Sequence, residues 1–311
     1  MIISASTRTD IPAFYSNWLL KRIKEGYVLV RNPYNARQVT KYVLDPDTVD
    51  AMLLWTKNPI PLLSRIDELK PFHPYFFVTI TPYGREIEPY VPDKKKILES
   101  TIQLAKTLGK DSVCLRYDPI LLTERYTIET HAKAFRYIAE AISGVIGEVV
   151  ISFLDVYEKT KRNFKEGRAL TCQEQRQIAK VFSEIAKEYG ITIKTCAEEI
   201  DLTAFGIKNS GCVSKETMER HLGGSIKEKK HPPERENCMC METKDIGAYH
   251  SCLHGCRYCY ANANHEVALT NYKKHNENSP FLIGELTKDD VIKEAKQVSF
   301  FDGQIRLDFI E

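Results

Sequence analysis

Three cysteines give this sequence its clearest chemistry. Cys252-Leu-His-Gly-Cys256-Arg-Tyr-Cys259 is a C-x3-C-x2-C run. Three thiolates at this spacing can hold three irons of a [4Fe–4S] cube within one short loop and leave the fourth iron without a protein ligand. An open iron is what substrate chemistry at a cluster requires, whereas four-thiolate electron-transfer clusters are closed. Gly255, inside the run, lets the backbone take a positive φ or pass close to an inorganic sulfide.

Five of the nine cysteines lie between Cys238 and Cys259. An odd count and such clustering point to metal or cluster ligation more than to disulfides. Cys196, Cys212, Cys238 and Cys240 form a second candidate set, and four thiolates would close a second cluster completely. Two bland readings stand beside it. Cys238-x-Cys240 with two later cysteines, or with His250 or His254, would suit structural zinc. Cys196 and Cys212 could also be small buried hydrophobes, as free cysteines often are. Cys114, in mid-strand, and Cys172, at a helix start, are expected to be non-ligands.

The elements that must position these thiols read as βα units. Ile2–Ser4, Tyr27–Val30, Met52–Trp55, Phe76–Ile80, Ser112–Leu115, Val149–Phe153 and Ile191–Thr195 are short apolar runs of the kind buried on both faces of a parallel sheet. Phe135, Ile138, Ala139 and Ile142 fall at helical spacing, as do Ile178, Val181, Phe182 and Ile185. Gly109, Gly144 and Gly190 follow the last helical turns, where a left-handed cap is expected. Strand, helix, glycine, strand predicts an α/β fold, a (β/α) barrel that is TIM-like or partial. Its eighth strand would come from the C-terminal third. No Gly-rich nucleotide loop follows the first strand, which disfavours a doubly wound sheet. Residues 1–200 are expected to form the barrel and 201–311 a cysteine-rich, cofactor-bearing extension over one mouth. Within it, Lys227–Glu236 (KEKKHPPERE) reads as a solvated loop.

In such barrels the active site lies at the carboxyl ends of the strands. Reading just past each strand gives a dense polar set, of which Arg8, Asp10, Arg31, Lys57, Arg116 and Asp118 are the best candidates for catalysis or binding. Arginines suit carboxylates and phosphates, although an Arg–Asp pair at a strand end is as often a structural bridge.

The 311 residues, 43% of them hydrophobic, can bury a sizeable core, and neither figure suggests disorder. A net charge of +2 writes no strong attraction to nucleic acid or anionic membrane into the whole chain. No signal peptide or membrane-spanning run is visible. A cytoplasmic protein is expected.

The C-x3-C-x2-C run, with Tyr258 as the aromatic just before its last cysteine, resembles the hallmark of the radical S-adenosylmethionine (SAM) superfamily. The longer string His250–Asn262 (HSCLHGCRYCYAN) is similar to the spore-photoproduct-lyase branch. The chain as a whole resembles DUF1848, a family of uncharacterised barrel proteins. The likeness rests on the opening SASTRTDIPAFY, the RNPYN and WTKNP segments and the final cysteine string. The resemblance implies a [4Fe–4S] cluster on Cys252, Cys256 and Cys259, SAM as co-substrate, an external electron donor, and a 5′-deoxyadenosyl radical acting on a substrate of unknown class. Typical members of the superfamily carry the motif after their first strand. Here it follows the barrel, so SAM-binding residues do not carry over by position.

The alternatives are a DNA-binding or repair accessory protein stabilised by a metal or cluster, and a zinc-binding barrel protein. A zinc hydrolase is disfavoured because none of the candidate strands ends in a histidine. In the tail, Lys288–Lys296 reads as a short helix capped by Thr287. Gln297, Phe300 and Phe301 then resemble the peptide that bacterial repair proteins dock on a sliding clamp, though a terminal strand packed on the barrel would look the same.

Overall fold

Runs of apolar residues buried on both faces become parallel strands. The computed structural model describes residues 1–227, 231, 233 and 237–301. In chain order its strands are β1 (Ile2–Ser4), β2 (Tyr27–Asn32), β3 (Asn35–Val43), β4 (Ala51–Thr56), β5 (Pro74–Thr79), β6 (Val113–Ile120), β7 (Glu148–Phe153), β8 (Thr192–Thr195), β9 (Lys208–Asn209), β10 (Lys244–Asp245) and β11 (Val291–Glu294). Eight of them form one sheet in the order β10-β1-β4-β5-β6-β7-β8-β9. Every pairing in it is parallel, so all eight carboxyl ends lie at one end of the sheet.

The sheet is α/β as expected, but among the described residues it is not a closed barrel. No ladder joins β9 to β10. Both are two-residue strands, and among the described residues between them lies the helix Lys215–Leu222. The C-terminal third supplies two strands where one was expected: β9 pairs with β8 through Lys194↔Lys208, and β10 pairs with the outer edge of β1 through Ile3↔Lys244 and Ser4↔Asp245. The sheet therefore runs across residue 200: β9 and β10, both from the segment beyond it, are integral strands.

Alternate residues of the strands pack on opposite faces, as period-two side chains must. Ile3, Met52, Leu54, Phe76, Val78 and Leu115 face the helices. Ile2, Leu53, Tyr75, Phe77, Cys114 and Val150 face a second apolar cluster that also contains Cys196 and Cys212. The helices Lys94–Leu108, Ile128–Ile142 and Cys172–Glu188 start at side-chain caps on Asp93, Thr127 and Thr171, the last a capping box with Glu174. The Phe135 and Phe182 rings stack at 4.1 Å between two of them. Both residues lie on the apolar stripes that the helical spacing predicts.

Two expectations are corrected. Tyr27–Val30 is not a strand of the large sheet. It lies in β2, which pairs antiparallel with β3 in a separate three-stranded sheet ordered β11-β3-β2. The hairpin is closed by a tight turn at Asn32–Asn35, a local signal that the βα reading passed over. Residues Lys288–Lys296 are not a helix either. Thr287 and Asp290 form a turn in which the Asp290 carboxylate accepts the Thr287 N–H, and Val291–Glu294 then pairs with β3. The charged residues there carry no apolar stripe to hold a helix, whereas the edge of β3 offers backbone partners. Gln297 makes two hydrogen bonds to the Val43 backbone, Phe300 is buried, and Phe301 bridges to Ile226. These three clamp-peptide candidates are thus engaged within the chain. The Lys227–Glu236 loop lies largely outside the described residues. No helix among the described residues is long and apolar enough to cross a membrane.

Candidate functional site

The site is built at the carboxyl ends of β1, β4, β5, β6 and β10. Asp10 follows β1. One of its oxygens caps the short helix Ile11–Phe14 by accepting the Ala13 N–H at 2.9 Å. The other accepts the Lys57 N–H beyond β4 at 2.7 Å and pairs with His254 Nε2 at 2.7 Å. One buried carboxylate therefore ties two strand ends to the middle of the C-x3-C-x2-C run.

A second carboxylate, missed in the sequence, holds the end of that run. Glu88 lies in the loop after β5 and is buried. It accepts hydrogen bonds from Lys57 Nζ at 2.9 Å, Thr81 Oγ1 at 2.7 Å, Lys94 Nζ and the Tyr258 hydroxyl. Burial raises the pKa of Glu88, but the Lys57 and Lys94 ammoniums outweigh it and hold the group at about 2. Of the two lysines, Lys57 stays above its ordinary range because Glu88 overcomes the cost of burial. Lys94 falls below its range, through burial first and then the neighbouring Lys57 charge. Nothing in the string around Glu88 marks it out. Only a strand end within reach of a buried lysine would have done so.

The cysteine run is stitched into this frame by its backbone. The Tyr90 N–H donates to the His254 carbonyl at 3.2 Å and the Arg257 N–H to the Ile87 carbonyl at 3.0 Å. Tyr15 donates to the Ser251 carbonyl at 2.6 Å, Thr160 to that of Tyr258 at 3.3 Å, and Lys159 to that of Tyr260 at 3.0 Å. Gly255 has φ +66°, and a Cβ there would strike the Tyr90 ring at 2.8 Å. Positive φ and close packing both demand glycine, as expected, although the near neighbour is an aromatic ring.

Cys252, Cys256 and Cys259 are free and half-buried. Burial pushes all three thiols up, Cys256 to about 12. Cys252 is also pushed up by Cys259 and Cys256, and Cys256 by Cys259. Backbone groups oppose the shift: Cys252 is helped by His254, and Cys259 by Asn262 and Ala261. Amide hydrogen bonds to sulfur stabilise bound thiolates. In a cube each thiolate takes a different iron, and three thiols on one short loop are the donors it would need. The residues present therefore fit a three-thiolate cluster.

The remaining sequence candidates divide sharply. Arg116 and Asp118 form an ion pair at the end of β6, and Asp118 also accepts from Ser152. Arg8 lies 3.8 Å from Asp245 with its guanidinium over the Tyr249 ring. Asp245, at the end of β10, was not a candidate. It accepts from Ser6 at 2.7 Å and from the Thr7 N–H at 2.7 Å. The Tyr260 hydroxyl donates to the Thr7 carbonyl, and its pKa is raised by burial first and then by Cys259, Asp245 and Asp118. Arg31 is elsewhere. On β2 of the small sheet it pairs with Asp290 and covers the Phe281 ring, so the structure does not bring it to the other candidates.

The second cysteine set comes together from three segments. Cys196 follows β8, Cys212 follows β9, and Cys240 precedes β10. Their sulfurs all lie within 4.8 Å of one another. Cys238 contacts Cys240 as well. Cys114 is buried in mid-strand, and Cys172 is exposed at the start of its helix.

A family model described as a domain of unknown function, DUF1848, matches residues 2–261. That span takes in all eight strands of the large sheet and both cysteine groups. The chain belongs to the DUF1848 family. No curated protein matches it.

Proposed function

For this DUF1848 protein we propose an iron–sulfur enzyme of the radical SAM type, with Cys252, Cys256 and Cys259 as the three protein ligands of a [4Fe–4S] cluster. The reading is supported above all by the loop itself. It carries three half-buried thiols in a C-x3-C-x2-C run, with backbone groups favouring the ionised sulfurs, on the polar end of an open parallel sheet. Such a cluster, when bound and reduced by an external donor, supplies the electron that cleaves SAM to methionine and a 5′-deoxyadenosyl radical.

The chain's own groups have defined tasks in this reading. Asp10 and Glu88 fix the loop against three strand ends, through His254 and Tyr258. Arg8, Asp245, Arg116 and Asp118 line the mouth, where both charge signs are available to the amino-acid part and ribose of SAM. The protein core under the loop limits water at the reacting end. We further read the sheet as a split (β/α) barrel whose mouth receives the substrate. The test is anaerobic reconstitution with iron and sulfide, followed by assay of 5′-deoxyadenosine from SAM under a strong reductant. Product formation that disappears in Cys256→Ala is the expected result. Cluster assembly without any SAM cleavage would overturn the reading.

A further inference from the structure

The three sulfurs at the sheet's unpaired ends are closer together than a multi-iron cluster tolerates. Cys196 Sγ lies 3.5 Å from Cys212 Sγ, and Cys212 Sγ lies 3.3 Å from Cys240 Sγ. A tetrahedral ion with metal–sulfur bonds of about 2.3 Å has sulfur–sulfur edges of about 3.8 Å. Three sulfurs with nearly that spacing need to move only slightly outward to take one ion, and Cys238, which contacts Cys240, would supply the fourth. In a [4Fe–4S] cube each would need its own iron. A disulfide would use two sulfurs and strand the others, and none is formed among the described residues.

The backbone is shaped for the same convergence. Gly211 has φ +69°, and a Cβ on it would meet the Met239 carbonyl carbon and oxygen at 2.9 Å and the Cys240 nitrogen at 3.0 Å. Only glycine lets the chain before Cys212 lie against the chain carrying Cys238 and Cys240. The Met241 N–H then donates to the Val213 carbonyl at 2.8 Å, and the Val213 N–H points at Cys240 Sγ at 3.5 Å. Arg116, whose Nη1 is buried with no hydrogen-bond partner among the described residues, interacts electrostatically with Cys212 and Cys196. It supplies a positive charge beside what would be a dianionic tetrathiolate site. Packing of small hydrophobes alone explains neither the glycine contact nor the amide aimed at sulfur.

We propose that Cys196, Cys212, Cys238 and Cys240 bind one zinc ion, which clasps together the two ends of the eight-stranded sheet that no ladder joins. The four ligands come from just beyond β8, just beyond β9 and just before β10, so the ion spans the β9–β10 gap. Four thiolates leave no open position, so the site is structural. It is independent of the SAM reading, since it shares no ligand with the Cys252–Cys259 loop.

The test measures metal in the full chain purified without added iron, in wild type and in the Cys252→Ala/Cys256→Ala/Cys259→Ala variant. Stoichiometric zinc in both is expected, with X-ray absorption showing four sulfurs at about 2.3 Å. Cys212→Ser and, on the more exposed side, Cys238→Ser should lose it. Hydrogen exchange near β9 and β10 should quicken when a chelator strips the metal. Should Cys212→Ser fail to fold, the wild-type absorption spectrum and Cys238→Ser still decide the matter. Iron and sulfide retained by the triple-alanine variant would overturn the proposal in favour of a second cluster. A metal-free wild type with unchanged exchange would overturn it in favour of packed thiols. Zinc retained without SAM cleavage would sink the reading of the loop alone.

Discussion

The two cysteine groups are delivered in opposite ways. Cys252, Cys256 and Cys259 come from one loop, half-buried at the polar end of the sheet, its carbonyls accepting from the Tyr15 and Thr160 hydroxyls after β1 and β7 and its backbone paired with the segment after β5. Cys196, Cys212 and Cys240 come from three separated segments and meet among the apolar side chains on one face of the sheet. A loop whose ligands are close in sequence keeps its shape with or without a bound group. A site assembled from distant segments draws its shape from the fold and returns stability to it. Local delivery therefore suits chemistry, and distant delivery suits structure.

The largest effect should come from exchanging the two groups' roles under heat. Cys212→Ser/Cys240→Ser is expected to lower the unfolding midpoint by on the order of 10 °C, since a lost structural metal is lost folding energy. Cys252→Ala/Cys256→Ala/Cys259→Ala should leave the midpoint near wild type while abolishing 5′-deoxyadenosine formation. Differential scanning calorimetry on both proteins decides it, and equal midpoints would erase the distinction drawn here.

Glu88 provides the next test, because it makes the loop's frame a network of paired charges, where the other site lies against apolar side chains with Arg116 as its charged neighbour. Glu88→Ala leaves Lys57 and Lys94 buried without their carboxylate and should cost about 3–5 kcal/mol in urea denaturation. The pH dependence follows from the depressed pKa. Glu88 titrates at about 2 in the folded chain against an ordinary 4.5. Its contribution is therefore complete above the ordinary value and is lost as pH falls from 4.5 towards 2. Glu88→Gln should flatten the acid limb of the stability profile. An unchanged limb would mean that another carboxylate governs it.

The smallest contrast lies in two glycines. Both Gly211 and Gly255 have positive φ, so alanine at either costs about 1–2 kcal/mol in backbone conformation. At Gly211 the added carbon meets backbone, which cannot yield cheaply, whereas at Gly255 it meets the Tyr90 ring edge, a side chain that can turn. Gly211→Ala should thus be the more destabilising of the two and should also weaken zinc retention. The reverse order would argue against a close backbone approach at the second site.

Much of the loop was legible because its information is local. Cysteine spacing, the aromatic at Tyr258 and the need for glycine at Gly255 are properties of neighbouring residues, and the βα rhythm of the large sheet is a matter of period. Arg31 was misplaced for the same reason: a polar residue after an apolar run reads alike on β2 and on a strand of the large sheet. The tail misled in the other direction, since Lys288–Lys296 has the cap of a helix but finds its backbone partners on β3.

The sequence by itself determined the parallel α/β character, the three-thiolate loop and the membership of Cys196, Cys212, Cys238 and Cys240 in one candidate set. Only the tertiary structure decided that the sheet stays open between β9 and β10, that Glu88 and Asp245 hold the mouth, and that Cys196, Cys212 and Cys240 of the second set converge to short sulfur distances. The physical reason is range. Periodicity and motif spacing are written between residues a few positions apart, whereas buried charge pairing and sulfur convergence depend on which distant segments the packed core brings into contact.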